Sequence, residues 1–173
     1  MDRFGSLHRK IVWTGSELAD RLFFANTRES IRGSYDVQTS EPAVVREKDE
    51  DAFARLMRLE SADRVLHYRV CLYDDEIIRF LDENVGTDML TFIVYIMTHE
   101  LLHIDRIRKG LADFDSSSHE EEVIVDNLTR IFMAKFPVTG RSKVIRLLDN
   151  LAPPPLYNQR TIIDNGGIFD AYL

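Results

Sequence analysis

The sequence is poor in cysteine, in clustered basic charge and in long apolar runs, and each shortage excludes a class of protein. Its single cysteine, Cys71, rules out an intramolecular disulfide and a thiolate metal cluster. The net charge of −7 argues against a chain that coats nucleic acid, because binding phosphates needs concentrated positive charge. The longest apolar run, Met89–Met97, contains Thr91 and is far too short to cross a bilayer. We therefore expect neither nucleic acid nor a membrane as a partner.

The N-terminal residues 1–15 lack the apolar core and the small-residue cleavage site of a secretory signal, so we predict a cytoplasmic protein. The chain of 173 residues has the length of one ordinary domain, and its 45% hydrophobic and 29% charged residues are a globular balance. We predict a single domain over 1–173, ending in an irregular C-terminal tail at 152–173, where few periodic signals remain.

Hydrophobic periodicity predicts more helix than strand. The predicted helices are 16–25, 50–59, 74–83, 88–109, 120–135 and 141–151. β-Branched and aromatic residues alternate through 64–73, which indicates a strand, and 43–46 is a candidate for a short second strand. The stretch 26–40 is rich in Gly, Ser, Asn and Thr and is expected to be a loop. The fold class is therefore α+β, a compact and mainly helical domain with a small sheet.

The helix predicted at 88–109 changes character along its length. Its first half, MLTFIVYIM, is apolar on all sides, which indicates burial, and THELLHIDRIRK follows. His99 and His103 stand one turn apart on the same face, and Glu100 directly follows the first of them. The basic residues from Arg106 onward are expected to face water, since cations favour a helix C-terminus. A divalent cation would offset the cost of burying two imidazoles, and H-E-x-x-H is a zinc-peptidase signature.

A catalytic zinc site of this kind needs a third protein ligand. The next predicted helix begins with Glu120, Glu121 and Glu122, and of the three only Glu122 has an acidic residue, Asp126, four positions later. A gap of 18 residues separates His103 from Glu122. This order, H-E-x-x-H followed on the next helix by E-x-x-x-D, resembles the gluzincin branch of the zincin metallopeptidases.

The resemblance covers residues 98–126 and implies a zincin-like fold in which the helix at 88–109 carries the active site. It also implies hydrolysis of peptide bonds with Zn²⁺ as cofactor and with a peptide or protein as substrate. Zincins tend to hold the peptide against an edge strand beside the active-site helix. The strand predicted at 64–73 is the candidate here, and a buried central strand is an equally good interpretation of it.

The same resemblance implies a role for each residue of the motif. His99, His103 and Glu122 would bind the zinc ion. Glu100 would be the general base that activates a zinc-bound water. Asp126 would be an outer carboxylate that orients a ligand imidazole and fixes its tautomer.

Two other interpretations keep the histidines and drop hydrolysis. A metal-binding helical bundle of the DinB-like kind would combine His99 and His103 with a third histidine, His67 or His119, and it requires His67 to lie on a helix. A catalytically inactive zincin-fold interaction protein would keep the metal residues without turnover. The bundle leaves Glu122 without a role, whereas the sequence does not distinguish the inactive protein from the enzyme, nor does it give the oligomeric state.

Overall fold

The computed structural model describes residues 7, 9–39, 53–60, 66–115 and 118–136, and within them the chain forms four α-helices and a three-stranded sheet. In chain order the elements are α1 (Arg9–Thr27), β1 (Tyr35–Gln38), β2 (Ala54–Glu60), β3 (Leu66–Leu72), α2 (Asp74–Glu83), α3 (Met89–Arg108) and α4 (His119–Ala134), with a 3-10 turn at Arg32–Ser34 before β1. The predicted α+β class with a small sheet is confirmed.

Four of the predicted helices are present. The segment 74–83 is α2, 88–109 corresponds to α3, and 120–135 corresponds to α4. The segment 16–25 lies inside α1, which is longer at both ends, and at its N-terminal end Val12 also packs into the core. Acidic residues fill the first turns of α2 and α4, where negative charge stabilises a helix N-terminus.

The strand predicted at 64–73 is present as β3, the central strand of the sheet. β1 pairs with β3 in parallel and β2 pairs with it antiparallel on the other edge. Alternate residues Tyr68, Val70 and Leu72 are fully buried, as the period of two requires for one face against the core. Since β3 is paired on both edges, it is not the free edge against which a zincin would hold a peptide.

Two other predictions for the sheet region were wrong, wholly or in part. The described part of the segment predicted as a helix at 50–59, residues 53–59, contributes most of β2 instead. Its residues favour helix locally, but pairing with β3 along the whole strand overrides that preference. The loop predicted at 26–40 contains β1, where buried Tyr35 lies opposite Tyr68 of the central strand.

α3 is the most buried helix of the described chain and packs against both α1 and α4. Its residues 92–98 are all buried, as the apolar first half predicted. The approach to α1 is close, because a Cβ added at Gly15 would lie 2.5 Å from Cγ2 of Ile93. The Asp88 side chain caps the N-terminus, and Gly110 follows the C-terminus with a φ of +70°.

α4 brings its first turns beside the second half of α3. The Ser118 side chain caps the helix by accepting a hydrogen bond from the Glu121 backbone N–H at 3.1 Å. Val125, Leu128 and Phe132 form the buried face, and the Phe132 ring lies 6.0 Å from that of Phe23 on α1. The acidic first turn of α4 is thereby placed against the histidines of α3.

The predicted strand at 43–46, the predicted helix at 141–151 and the tail at 152–173 lie outside the described residues. Within the described part of the chain, no helix combines the length and the apolar character that crossing a membrane requires.

Candidate metal centre

Two imidazoles face each other near the C-terminal end of α3. His99 and His103 lie one turn apart, and their Nε2 atoms are 3.1 Å from each other. Both side chains are largely buried, at 15% and 12% exposure. When both rings are neutral, nitrogens at this distance share a single proton, so one donates and the other accepts. A cation bound by both rings would remove that restriction, because it accepts two lone pairs at once.

The first turn of α4 adds a carboxylate to the two imidazoles. Glu122 Oε2 lies 3.3 Å from Nε2 of His99, and Oε1 lies 3.3 Å from Nε2 of His103. One ligand atom from each of the three residues lies within 4.8 Å of the other two. Two imidazole nitrogens and one carboxylate form a donor set found in catalytic zinc sites. The chemistry of these three side chains therefore fits a divalent cation.

The far side of His99 faces Asp126, the residue that the sequence pattern placed one turn after Glu122. Nδ1 of His99 is buried and lies 3.3 Å from Asp126 Oδ1, which is ion-pair distance but poorly aligned for a hydrogen bond. The Tyr95 hydroxyl donates to the same oxygen at 2.9 Å. Burial and the Asp126 charge hold the pKa of Tyr95 well above its ordinary value, so this hydroxyl stays a donor. A carboxylate at Nδ1 keeps the proton there and leaves Nε2 for a metal.

His103 has a corresponding carboxylate that the sequence analysis missed. Glu121 Oε1 lies 3.8 Å from Nδ1 of His103, and Arg106 donates to both Glu121 oxygens at 2.8 and 2.9 Å. The expectation that Arg106 faces water is wrong, since only 2% of it is exposed. The sequence did contain a signal for this placement. Arg106 lies three residues after His103, and residues three apart share a helix face.

In the metal-free state, the carboxylates and the imidazoles of the centre stabilise each other's charged forms. Burial alone would raise the pKa of Glu122, but its contacts with His103 and His99 outweigh burial and hold that pKa well below the ordinary value. Burial lowers the pKa of His99, but the carboxylates of Asp126 and Glu122 outweigh it and raise the pKa to about 10. A metal ion would therefore bind in competition with protons and release them.

Glu100 lies beside this cluster without taking part in its hydrogen bonds. The residue is 9% exposed, and burial raises the pKa of its carboxyl group while the positive charges of His99 and His103 oppose that rise. Among the described residues it accepts no hydrogen bond and forms no ion pair. Its carboxylate is thus near the histidines and is not committed to another described side chain, which is what a proton acceptor requires.

The other two candidate histidines are not part of this group. His67 lies in β3 rather than on a helix, and its Nε2 atom contacts Asp36 Oδ2 at 3.3 Å. His119 is the exposed first residue of α4. The group of potential metal ligands contains neither of them. The condition that the helical-bundle interpretation set for His67 is therefore not met.

A cleft separate from these residues lies between α1 and β1. It encloses about 770 Å³, and Trp13, Asp20 and Tyr35 are among the residues that line it. Neither the two imidazoles nor Glu122 reaches this cleft. Two of its three arginines are already engaged, since Arg32 pairs with an acid on α1 and Arg69 pairs with one on β1. The cleft volume therefore indicates one place for a binding site, whereas the converging ligand atoms indicate another. The ligand atoms are the stronger indication of function.

No protein family matches this chain, and neither a curated protein nor a solved structure shows detectable similarity to it. The resemblance to gluzincins therefore rests on the motif residues alone.

Proposed function

We propose that this protein is a zinc-dependent hydrolase of peptide bonds with a zincin-like active site on α3. One observation carries the proposal: Nε2 of His99, Nε2 of His103 and the Glu122 carboxylate converge from two helices to within 4.8 Å. The convergence is informative because two of the residues come from an H-E-x-x-H motif and the third comes from the next helix. This is the order of the gluzincin pattern.

His99, His103 and Glu122 would hold the ion. Zinc is proposed because its common donors are imidazole nitrogen and carboxylate oxygen, and because three protein ligands leave one position for water or substrate. When bound, Zn²⁺ supplies Lewis acidity that polarises the scissile carbonyl and lowers the pKa of water. The Glu122 side chain is 49% exposed, so a substrate can approach the centre on the side where Glu122 lies.

Glu100 would act as the general base. Its carboxylate accepts a proton from the attacking water while the water oxygen adds to the carbonyl carbon. The proton then passes to the amide nitrogen as the C–N bond breaks, so the products are a carboxylic acid and an amine. Asp126 would keep the His99 ring in one orientation during this sequence, because it faces Nδ1 of that ring and is itself held by the Tyr95 hydroxyl.

Two substitutions separate metal binding from catalysis. Glu122→Ala should lose zinc after equilibration and desalting, because two imidazoles alone leave the ligand set incomplete. Glu100→Gln should keep zinc and lose hydrolysis of a mixed peptide pool by about 10²–10⁴-fold, because the amide cannot accept the proton. Zinc is measured by atomic emission and cleavage by mass spectrometry. Glu120→Gln, an exposed acid in the same helical turn, is the matched control for charge.

Three results would contradict the proposal in different ways. Full zinc retention by Glu122→Ala, with loss on removing His67 or His119, would favour the helical-bundle interpretation. Zinc bound by the wild-type protein without cleavage of any peptide in the pool would favour the inactive interaction protein. Equal hydrolysis by the wild-type protein and Glu100→Gln would remove the general base from the mechanism.

A further inference from the structure

The guanidinium of Arg106 is almost completely buried at the end of α3. Only 3% of its side chain is exposed, whereas the side chain of Arg32 on the surface is 61% exposed. A charge in such a place needs a partner of opposite sign with good geometry. Glu121 on α4 supplies it, because both carboxylate oxygens accept hydrogen bonds from the guanidinium fork at 2.8 and 2.9 Å.

The fork fixes the Glu121 carboxylate against a ligand imidazole. Oε1, which accepts from Nε of Arg106, is also the oxygen that lies 3.8 Å from Nδ1 of His103, which is ion-pair distance and longer than a hydrogen bond. The backbone of Glu121 is held as well, since its N–H donates to the Ser118 cap at 3.1 Å. The backbone of Glu121 and both of its carboxylate oxygens are thus held in place. The carboxylate faces Nδ1 of His103, whereas Nε2 of the same ring faces Glu122.

We infer that Glu121, held by Arg106, is a positioning residue that keeps the proton of His103 on Nδ1 and so presents Nε2 to the metal. The inference rests on the proposed function, because it assumes that His103 is a ligand. It extends that function to a pair of residues outside the zincin motif. A carboxylate at the outer nitrogen of a ligand histidine fixes its tautomer and raises its basicity.

The two ligand histidines are then supported in the same way from opposite sides. His99 has Asp126, which is fixed by the Tyr95 hydroxyl at 2.9 Å. His103 has Glu121, which is fixed by Arg106. Consecutive residues on a helix point about 100° apart, so Glu122 can face the two Nε2 atoms while Glu121 faces the back of one ring. This division of roles explains why the acidic turn contains two engaged carboxylates.

The test is the metal affinity of the full chain, measured by competition with a chromogenic chelator for Zn²⁺ and by direct titration with Co²⁺. Glu121→Gln keeps the shape of the side chain and removes its charge, and it should weaken binding by about 10–100-fold. Arg106→Lys keeps the charge and loses the fork, so its affinity should lie between the wild-type value and that of Glu121→Gln. Glu120→Gln is the charge control and should bind as the wild-type protein does.

A merely structural role would change stability without changing the affinity of the folded protein. The Co²⁺ absorption spectrum at saturation is therefore recorded as well, and Glu121→Gln should shift it because the ring of one ligand is no longer fixed. Wild-type affinity and an unshifted spectrum in Glu121→Gln overturn this inference alone. If that variant does not fold, wild-type affinity in Arg106→Lys overturns it. Absence of Zn²⁺ and Co²⁺ binding in the wild-type protein overturns the proposed function first.

Discussion

Two clusters among the described residues combine histidine, arginine and carboxylate, and one of these two forms a candidate metal site. On the sheet, Asp36 of β1 accepts hydrogen bonds from Arg69 at 2.6 and 3.0 Å and lies 3.3 Å from Nε2 of His67. We call these three residues the sheet cluster. At the metal centre, Arg106 binds Glu121 with the same fork geometry, and that carboxylate faces His103. The pairwise contacts are therefore nearly the same in both places.

Burial is the first difference. In the sheet cluster the side chains of His67 and Arg69 are 35% and 37% exposed, whereas those of His103 and Arg106 are 12% and 3% exposed. Water satisfies an exposed imidazole or guanidinium, so the sheet cluster requires no further partner. A buried group lacks that alternative, and an unpaired charge there is costly. Loss of a partner at the metal centre would consequently leave a buried charge unpaired and destabilise the fold.

Ligand count is the second difference. The sheet cluster offers one imidazole, and its single carboxylate is already occupied by Arg69. The metal centre offers two imidazoles, and Glu122 is available to both because its neighbour Glu121 takes the arginine. Similar pairs become a potential metal site only when separate carboxylates neutralise the arginine and complete the ligand set.

The largest expected effect is on metal affinity. His103→Ala should weaken Zn²⁺ binding by more than the roughly 10–100-fold that follows loss of an outer partner of a ligand, because a ligand itself is removed. His67→Ala should leave the affinity unchanged, since its ring contacts Asp36 and not the centre. Both affinities are measured by chelator competition at one pH and ionic strength. Equal losses in the two variants would show that the comparison between the clusters is mistaken.

A smaller effect is expected on stability. Arg106→Gln should lower the free energy of unfolding of the metal-free protein by about 3 kcal/mol, because the Glu121 charge is left without its buried partner. Arg69→Gln should hardly move the urea midpoint, since water and salt screen an exposed ion pair. Urea unfolding followed by circular dichroism gives both values. A similar loss in the two variants would mean that burial does not separate the clusters.

The ligands of the proposed centre could be predicted from sequence because their relation is local. His99 and His103 need only one helix, and the acidic start of the next helix narrows the third ligand to a few residues. Arg106 and Glu121 meet only where α3 and α4 come together, and local periodicity contains no information about that contact. β2 was missed for a related reason, since its strand conformation comes from pairing with β3.

The smallest expected effect is on stability at acid pH. Its sign follows from the pKa values of the two carboxylates that bind arginine, Glu121 and Asp36. Burial opposes ionisation of Glu121, but His103 and Arg106 outweigh burial and lower its pKa to about 2. A lowered pKa in the folded state stabilises the protein above the ordinary value near 4.5, and this contribution disappears as the pH falls towards 2. The pKa of Asp36 is also lowered, chiefly by the hydrogen bonds from Arg69, but that carboxylate is 41% exposed and screened by solvent.

Glu121→Gln should therefore destabilise the metal-free protein at pH 6, and its difference from the wild-type protein should shrink as the pH falls from about 4.5 to about 2. Asp36→Asn should show the same sign with a much smaller amplitude, because screening weakens its pairing with Arg69. Urea midpoints across this pH range, after removal of metal by a chelator, give both curves. A larger amplitude for Asp36→Asn would place the stronger arginine–carboxylate pair on the sheet and would reverse the order that burial predicts.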